Sequence, residues 1–226
     1  MSGPHERGLP PEPDARTQLL DAASAIMRSG DIEDVTLSAI ARRSGLNSAL
    51  VKYYFGNKAG LLRALIDREW SARVKAVETL LERPGDPETK LRIHMAGVVD
   101  NFLAMPYTHR LLLRMIRESP REEAQRLADS YLKPMLGAYE TLIGEGVAAG
   151  VFRPVDPRLF YFTVIGAADR FFTAQLVLRY CSDGGGDFLD EGLRERYRAH
   201  LNDFVVSGIL AGQFQQDRSQ QEGKHG

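Results

Sequence analysis

From Leu19 to Ala211 the apolar residues of this chain recur at intervals of three and four, with no convincing run of alternation. That spacing lays apolar stripes along helices and leaves nothing from which to build a half-buried strand. Leu19, Ala22, Ala23, Ile26 and Met27 form the first stripe, and Gly30-Asp31 stops it. Thr36 stands before Leu37, Ile40 and Ala41 as the N-cap of a short second helix. Asn47 or Ser48 is placed to cap a third, Leu50 to Phe55, which Gly56-Asn57 ends. A long fourth helix, about 58–82, carries Leu61, Leu65, Trp70 and Val77 on one side, and the Arg-Pro-Gly-Asp-Pro run at 83–87 breaks it. Further helices are predicted over about 88–104, 107–118, 121–149, 157–181 and 189–211, with Pro134 demanding a kink or a split in the third of these. The predicted fold class is all-α.

Residues 1–13, proline-dense and without an apolar segment, read as a disordered arm and not as a secretory signal; 213–226 read as a disordered tail. No apolar run is long enough to span a membrane. Cys181 is the one cysteine, which excludes an internal disulfide and a multi-thiolate metal site and fits a reducing compartment. The histidines, at 5, 94, 109, 200 and 225, do not cluster. There is no HExxH, paired CxxC, P-loop or GxSxG elbow. An enzyme is therefore not expected, nor a cofactor or a metal.

The whole chain sums to −1, which speaks against coating a polyanion by bulk charge. The charge is unevenly placed, however. Residues 36–63 contain Arg42, Arg43, Lys52, Lys58 and Arg63 and no Asp or Glu. The same segment holds two short helical patterns joined at Gly45, where a residue without a Cβ can take a positive φ and turn the chain sharply. Two short helices meeting steeply, the second held proud of the surface, is the logic of a helix-turn-helix that enters a major groove.

These residues resemble a known family. Thr17-Gln18-Leu19-Leu20-Asp21-Ala22-Ala23 and Thr36-Leu37-x-x-Ile40-Ala41-x-x-x-Gly45-Leu46, followed by Tyr53-Tyr54-Phe55-Gly56-Asn57-Lys58-x-x-Leu61-Leu62, look like the N-terminal DNA-binding domain of the tetracycline-repressor (TetR) family of bacterial transcription regulators. The chain has Lys52 where the family usually has tyrosine and Gly56 where proline is common. The resemblance implies a helix-turn-helix DNA-binding domain over 14–62 and a helical effector-binding and dimerisation domain over 63–212. It implies a homodimer on a palindromic operator in double-stranded DNA, a small-molecule effector, a bacterial cytoplasmic location with nucleoid association when bound to DNA, and no membrane partner. Asn47, Ser48, Ala49, Lys52 and Tyr53 would face the groove; Thr36, Tyr54 and Lys58 match phosphate-holding positions; at least one of Arg42 and Arg43 would reach the backbone. Lys52 suits a guanine edge or a phosphate, and the residues alone do not choose. A repressor is the first reading, with an activator or an effector-free regulator as the alternative.

The family pairs its last two helices with those of a second copy. The dimer candidates here are Phe162, Gly166, Arg170, Phe171 and Leu178 on the helix after Pro157, and Phe204 on the last. Polar or aromatic residues set among apolar helical neighbours are the effector candidates: His94, Arg114, Arg117, Tyr131, Met135, Tyr139 and Asp169. Asp169 and Arg170 suit a dimer ion pair as well as a pocket. A mostly apolar pocket with one or two polar anchors would take a hydrophobic, aromatic or acyl ligand.

Overall fold

A computed structural model of the chain describes residues 14–29, 34–174 and 191–212. Ten helices are named among them: α1 (Ala15–Ser29), α2 (Leu37–Ser44), α3 (Ala49–Phe55), α4 (Lys58–Glu82), α5 (Pro87–Ala104), α6 (Thr108–Glu118), α7 (Arg121–Leu127), α8 (Lys133–Ala148), α9 (Pro157–Thr173) and α10 (Glu191–Ser207). The described residues contain no strand beyond an isolated bridge between Phe152 and Leu210. The chain divides into two compact units, Met1–Arg68 and Glu69–Gly226, with the boundary inside α4. Gly30-Asp31, Leu178, Cys181, the arm 1–13 and the tail 213–226 lie outside the described residues.

In the first unit, α1 packs on α2 and α3. Leu19, Ala23, Val35, Ile40, Val51, Leu61, Leu65 and Ile66 are fully buried and form its core. Local chemistry sets the ends of the short helices. The Thr36 hydroxyl accepts from Ala39 N at 3.1 Å and caps α2. Gly45 ends α2 with φ +73°, the left-handed conformation that the turn needs and that a Cβ would oppose. Of the two capping candidates for α3, Asn47 supplies the bond: its Oδ1 accepts from Ala49 N at 2.9 Å, while the Ser48 side chain makes none. Asn57 Oδ1 then accepts from Gly60 N at 2.9 Å in the first turn of α4.

The second unit is a helical bundle around α5, which packs on α8, α9 and α10. Asp-Pro pairs start two of its helices. Asp86 accepts from Thr89 N, and Asp156 accepts from Arg158 N and Leu159 N, each followed by a proline whose missing N–H costs nothing there. The buried Lys90 ammonium donates to the Leu81 carbonyl (2.9 Å) and to Glu145 (3.2 Å).

The interruption predicted at Pro134 takes a specific form. Residues Ala128–Leu132 make a π turn between α7 and α8, and Lys133 N donates five residues back to the Ala128 carbonyl. A proline has no N–H to donate four residues back, and its ring crowds the carbonyl there; a widened turn just before it relieves both.

Candidate functional site

Two features of the structure concern function, one in each unit. In the first, α3 buries Val51 and exposes Lys52 and Tyr53, with Tyr53 79% exposed. Asn47, Ser48 and Ala49 are exposed at the start of the same helix, so Ala49, Lys52 and Tyr53, spaced by three and four, share its outer face. The Tyr54 ring meets the Tyr53 ring edge-on at 5.0 Å and keeps part of its surface open. Arg42 and Arg43 are exposed in the last turn of α2. Thr36 is exposed, its hydroxyl engaged in the α2 cap, and Lys58 is half-buried where α4 opens. Phe55 is half-buried, with the Arg16 guanidinium 5.4 Å from its ring centre. A seven-residue helix with Lys52 and Tyr53 on its exposed face, supported by a second helix ending in two arginines, is an arrangement suited to the major groove and its flanking phosphates.

In the second unit a cavity of about 530 Å³ opens among α4, α5, α6, α8 and α9. Its wall is largely apolar: Val77, Leu80, Val98, Phe102, Met135 and Ile165 among others. Four polar atoms of its lining are unusual in being buried with no hydrogen-bond partner in the protein. They are Trp70 Nε1, His94 Nε2 and the hydroxyls of Tyr139 and Tyr161. Native interiors pair nearly all such atoms, and an orphan costs about 1–3 kcal/mol, so four around one cavity make it the candidate site of this unit. The rings pack closely, His94 on Tyr139 at 4.9 Å and Tyr139 on Tyr161 at 5.2 Å, both edge-on. Burial pushes the His94 pKa down to about 4, so the imidazole is neutral at pH 7. Burial raises both phenols, Tyr161 to about 12, and they remain hydroxyls. The Arg73 guanidinium stands 5.6 Å from the Trp70 ring centre and is itself half-buried.

Residues 85–215 match the family model described as "Tetracyclin repressor-like, C-terminal domain", and residues 19–65 match "Bacterial regulatory proteins, tetR family". The chain belongs to the TetR family of bacterial transcriptional regulators. The HTH-type transcriptional regulator BetI of Serratia proteamaculans is 34% identical over 92 residues, which span 40% of this chain and 46% of that relative, less than half its length. Among solved structures, a TetR/AcrR-family regulator from Thermobifida fusca is similar with a TM-score of 0.60 and 21% identity, over 87% of this chain and 98% of that one. The regulator FadR of Bacillus subtilis, solved in complex with stearoyl-CoA, is similar with a TM-score of 0.59 and 21% identity, over 85% and 98%. At that identity these structures establish the fold.

For this TetR-family regulator, three of the seven effector candidates, His94, Met135 and Tyr139, line the cavity. The other four do not. Arg114 ion-pairs with Glu118 one turn on at 2.9 Å, and Arg117 is exposed. Tyr131 is buried behind the wall, its ring 6.2 Å from Trp70, and Asp169 stands outside the lining with Oδ1 buried. Trp70, Arg73, Asn101, His109 and Tyr161 line the cavity and were not among the candidates. All seven candidates lie beyond α4, whereas the wall begins on α4; the chain's single tryptophan three residues before an arginine was the available signal. Of the dimer candidates, Phe162 (65%) and Phe204 (69%) are strongly exposed, and Gly166 and Arg170 are exposed with them. Phe171 is instead half-buried within the protomer, stacked on Tyr197 of α10, whose hydroxyl donates to the Ala167 carbonyl at 2.7 Å. Among the described residues no three His, Cys, Asp or Glu side chains are placed to hold a metal ion, and no helix is long and apolar enough to cross a membrane.

Proposed function

We propose that this regulator is a repressor. Two copies read a palindromic operator through α3, and a small hydrophobic, aromatic or acyl molecule filling the second unit's cavity lowers their hold on it. The observation that carries this reading is the cavity itself, which has the size of a small-molecule site and is apolar with a few convergent polar groups. A ligand acts on DNA affinity only through a difference in its own affinity for the DNA-bound and released forms. The test is a gel shift on operator fragments selected from genomic DNA, with and without candidate effectors. Release by a compound that fills the cavity supports the reading, and unchanged affinity across hydrophobic, aromatic and acyl compounds refutes it. Since TetR-related FadR was solved with stearoyl-CoA, acyl compounds come first.

Operator binding will also report its electrostatics. Arg42, Arg43 and Lys58 from two protomers would neutralise about six phosphates, and affinity should fall on the order of a thousandfold between about 50 and 200 mM salt. A salt-independent shift would contradict the assignment.

Pairing of two copies is supported by α9, where Leu159, Phe162, Thr163, Gly166, Ala167 and Arg170 are exposed at spacings of three and four, an apolar stripe with wet surroundings. Gly166 gives a selective test. A Cβ built there meets nothing within 4 Å in the protomer. Gly166→Arg should therefore fold normally and act only through a partner. Light scattering should fall from twice 25.2 kDa towards the single-chain mass; an unshifted dimer excludes this face.

A further inference from the structure

Charge in the cavity wall has one sign. Arg73, Lys75 and Arg83 line it, and no Asp or Glu does. Nearby acids stand outside the lining: Glu69 lies one turn before Arg73 on α4, and Asp169 acts on His109 from α9. The hydrogen-bonding capacity is mixed, since Thr79, Asn101 and the neutral His94 imidazole of the lining accept as well as donate, but two of its groups are donors alone. The Trp70 indole and the Arg73 guanidinium can only donate, and the Tyr139 and Tyr161 hydroxyls can donate once a partner accepts. Tyr161 lies close enough to Arg73 for each to perturb the other's titration. A ligand that satisfies Trp70 and Arg73 must bring acceptors, and beside three cations it gains from negative charge. A carboxylate does so, offering about four lone-pair sites and no proton of its own, and its bonds to cationic donors are the strong, charge-assisted kind. An ammonium group brings donors to donors and meets three cations.

The geometry points to an amphipathic carboxylate as the molecule this cavity takes, its anionic end held by Arg73, Trp70 and the Tyr161 hydroxyl and its apolar body against Leu80, Val98 and Met135. This inference rests on the reading of the cavity as the effector site and narrows it from a shape to a charge class.

Trp70, the chain's only tryptophan, is a built-in reporter. The full-length protein is titrated with decanoate, decan-1-ol and decyltrimethylammonium, following indole fluorescence, and each compound is then tested in the operator gel shift. Decanoate should bind at least about tenfold more tightly than the alcohol, and the ammonium compound least of the three. Arg73→Met should remove the preference for decanoate, weakening decanoate far more than the alcohol. Tyr161→Phe, a near-isosteric change safe for folding, should weaken decanoate severalfold and the alcohol less. The inference is overturned if the ammonium compound or the alcohol binds best, if both variants keep the wild-type preference, or if no compound perturbs Trp70. Tightest binding by the ammonium compound would instead mark the rings as a cation–π cage. The two readings separate cleanly. Selective decanoate binding without operator release upholds the charge class and refutes the effector role. Release by the alcohol with decanoate inert does the reverse.

Discussion

Replacing Lys52 or Tyr53 by alanine should abolish most operator affinity while leaving fold and dimer mass intact. Both side chains are exposed on the outer face of α3, with Val51 on the opposite face holding the helix to the core. Truncating exposed side chains generally shifts stability by no more than about 0.5 kcal/mol. A direct base contact is worth about 1–3 kcal/mol. A two-fold dimer repeats each contact, so a base-reading Lys52 would cost about thirtyfold or more in affinity on removal. The pattern of loss also settles what Lys52 touches. Contact with a guanine edge would relax sequence preference at one position of each half-site, whereas contact with a phosphate would weaken all sequences alike and flatten the salt dependence. Unchanged affinity in both variants would remove α3 from the interface.

The largest stability effect is expected at Gly60. Gly→Ala inside a helix ordinarily stabilises, by about 0.5–1 kcal/mol. At Gly60 the sign should reverse. A Cβ there would lie 2.0 Å from the Phe55 carbonyl oxygen, a backbone atom at the end of α3 that cannot swing aside. Gly60→Ala must push α3 and α4 apart, and a loss of about 3 kcal/mol or more is expected, with operator binding falling as α3 is displaced. Gly144 in α8 is the matched control, since its added Cβ meets nothing within 4 Å. Gly144→Ala should raise the unfolding midpoint and Gly60→Ala should lower it. Equal shifts in the same direction would show that α3 and α4 do not approach this closely.

The contrast between these two units shows what was legible in the sequence. Helix ends were, because Thr36, Gly45, Asp86-Pro87 and Asp156-Pro157 act on their own neighbours within a few residues. The outer face of α3 was legible for the same reason, as one buried valine fixes the phase of a seven-residue helix. Gly60 was not, because its constraint comes from a carbonyl on another helix. Nor was most of the cavity. A periodic apolar stripe marks the face that turns inward and says nothing of where several inward faces fail to fill the space. Trp70 reads as one more core residue of α4, and only packing sets it beside His109 and below Arg73. Arg114 lies outside the cavity lining and pairs locally with Glu118, one turn away.

The π turn at Ala128–Leu132 carries a consequence for the whole rod from Arg121 to Ala148. A turn that spends one residue more than an α turn resets the angular phase of everything after it by about 100°, the share of one residue in a 3.6-residue turn. Upstream of it α7 packs on α6; downstream α8 packs on α5 and α9, and Met135 and Tyr139 come round into the cavity. The chain thus behaves here like a shaft with a built-in offset, one length of helix keyed to two different neighbours. Losing a single residue from that turn would straighten the shaft and swing Met135 and Tyr139 out of alignment with the cavity, although neither of them had been changed.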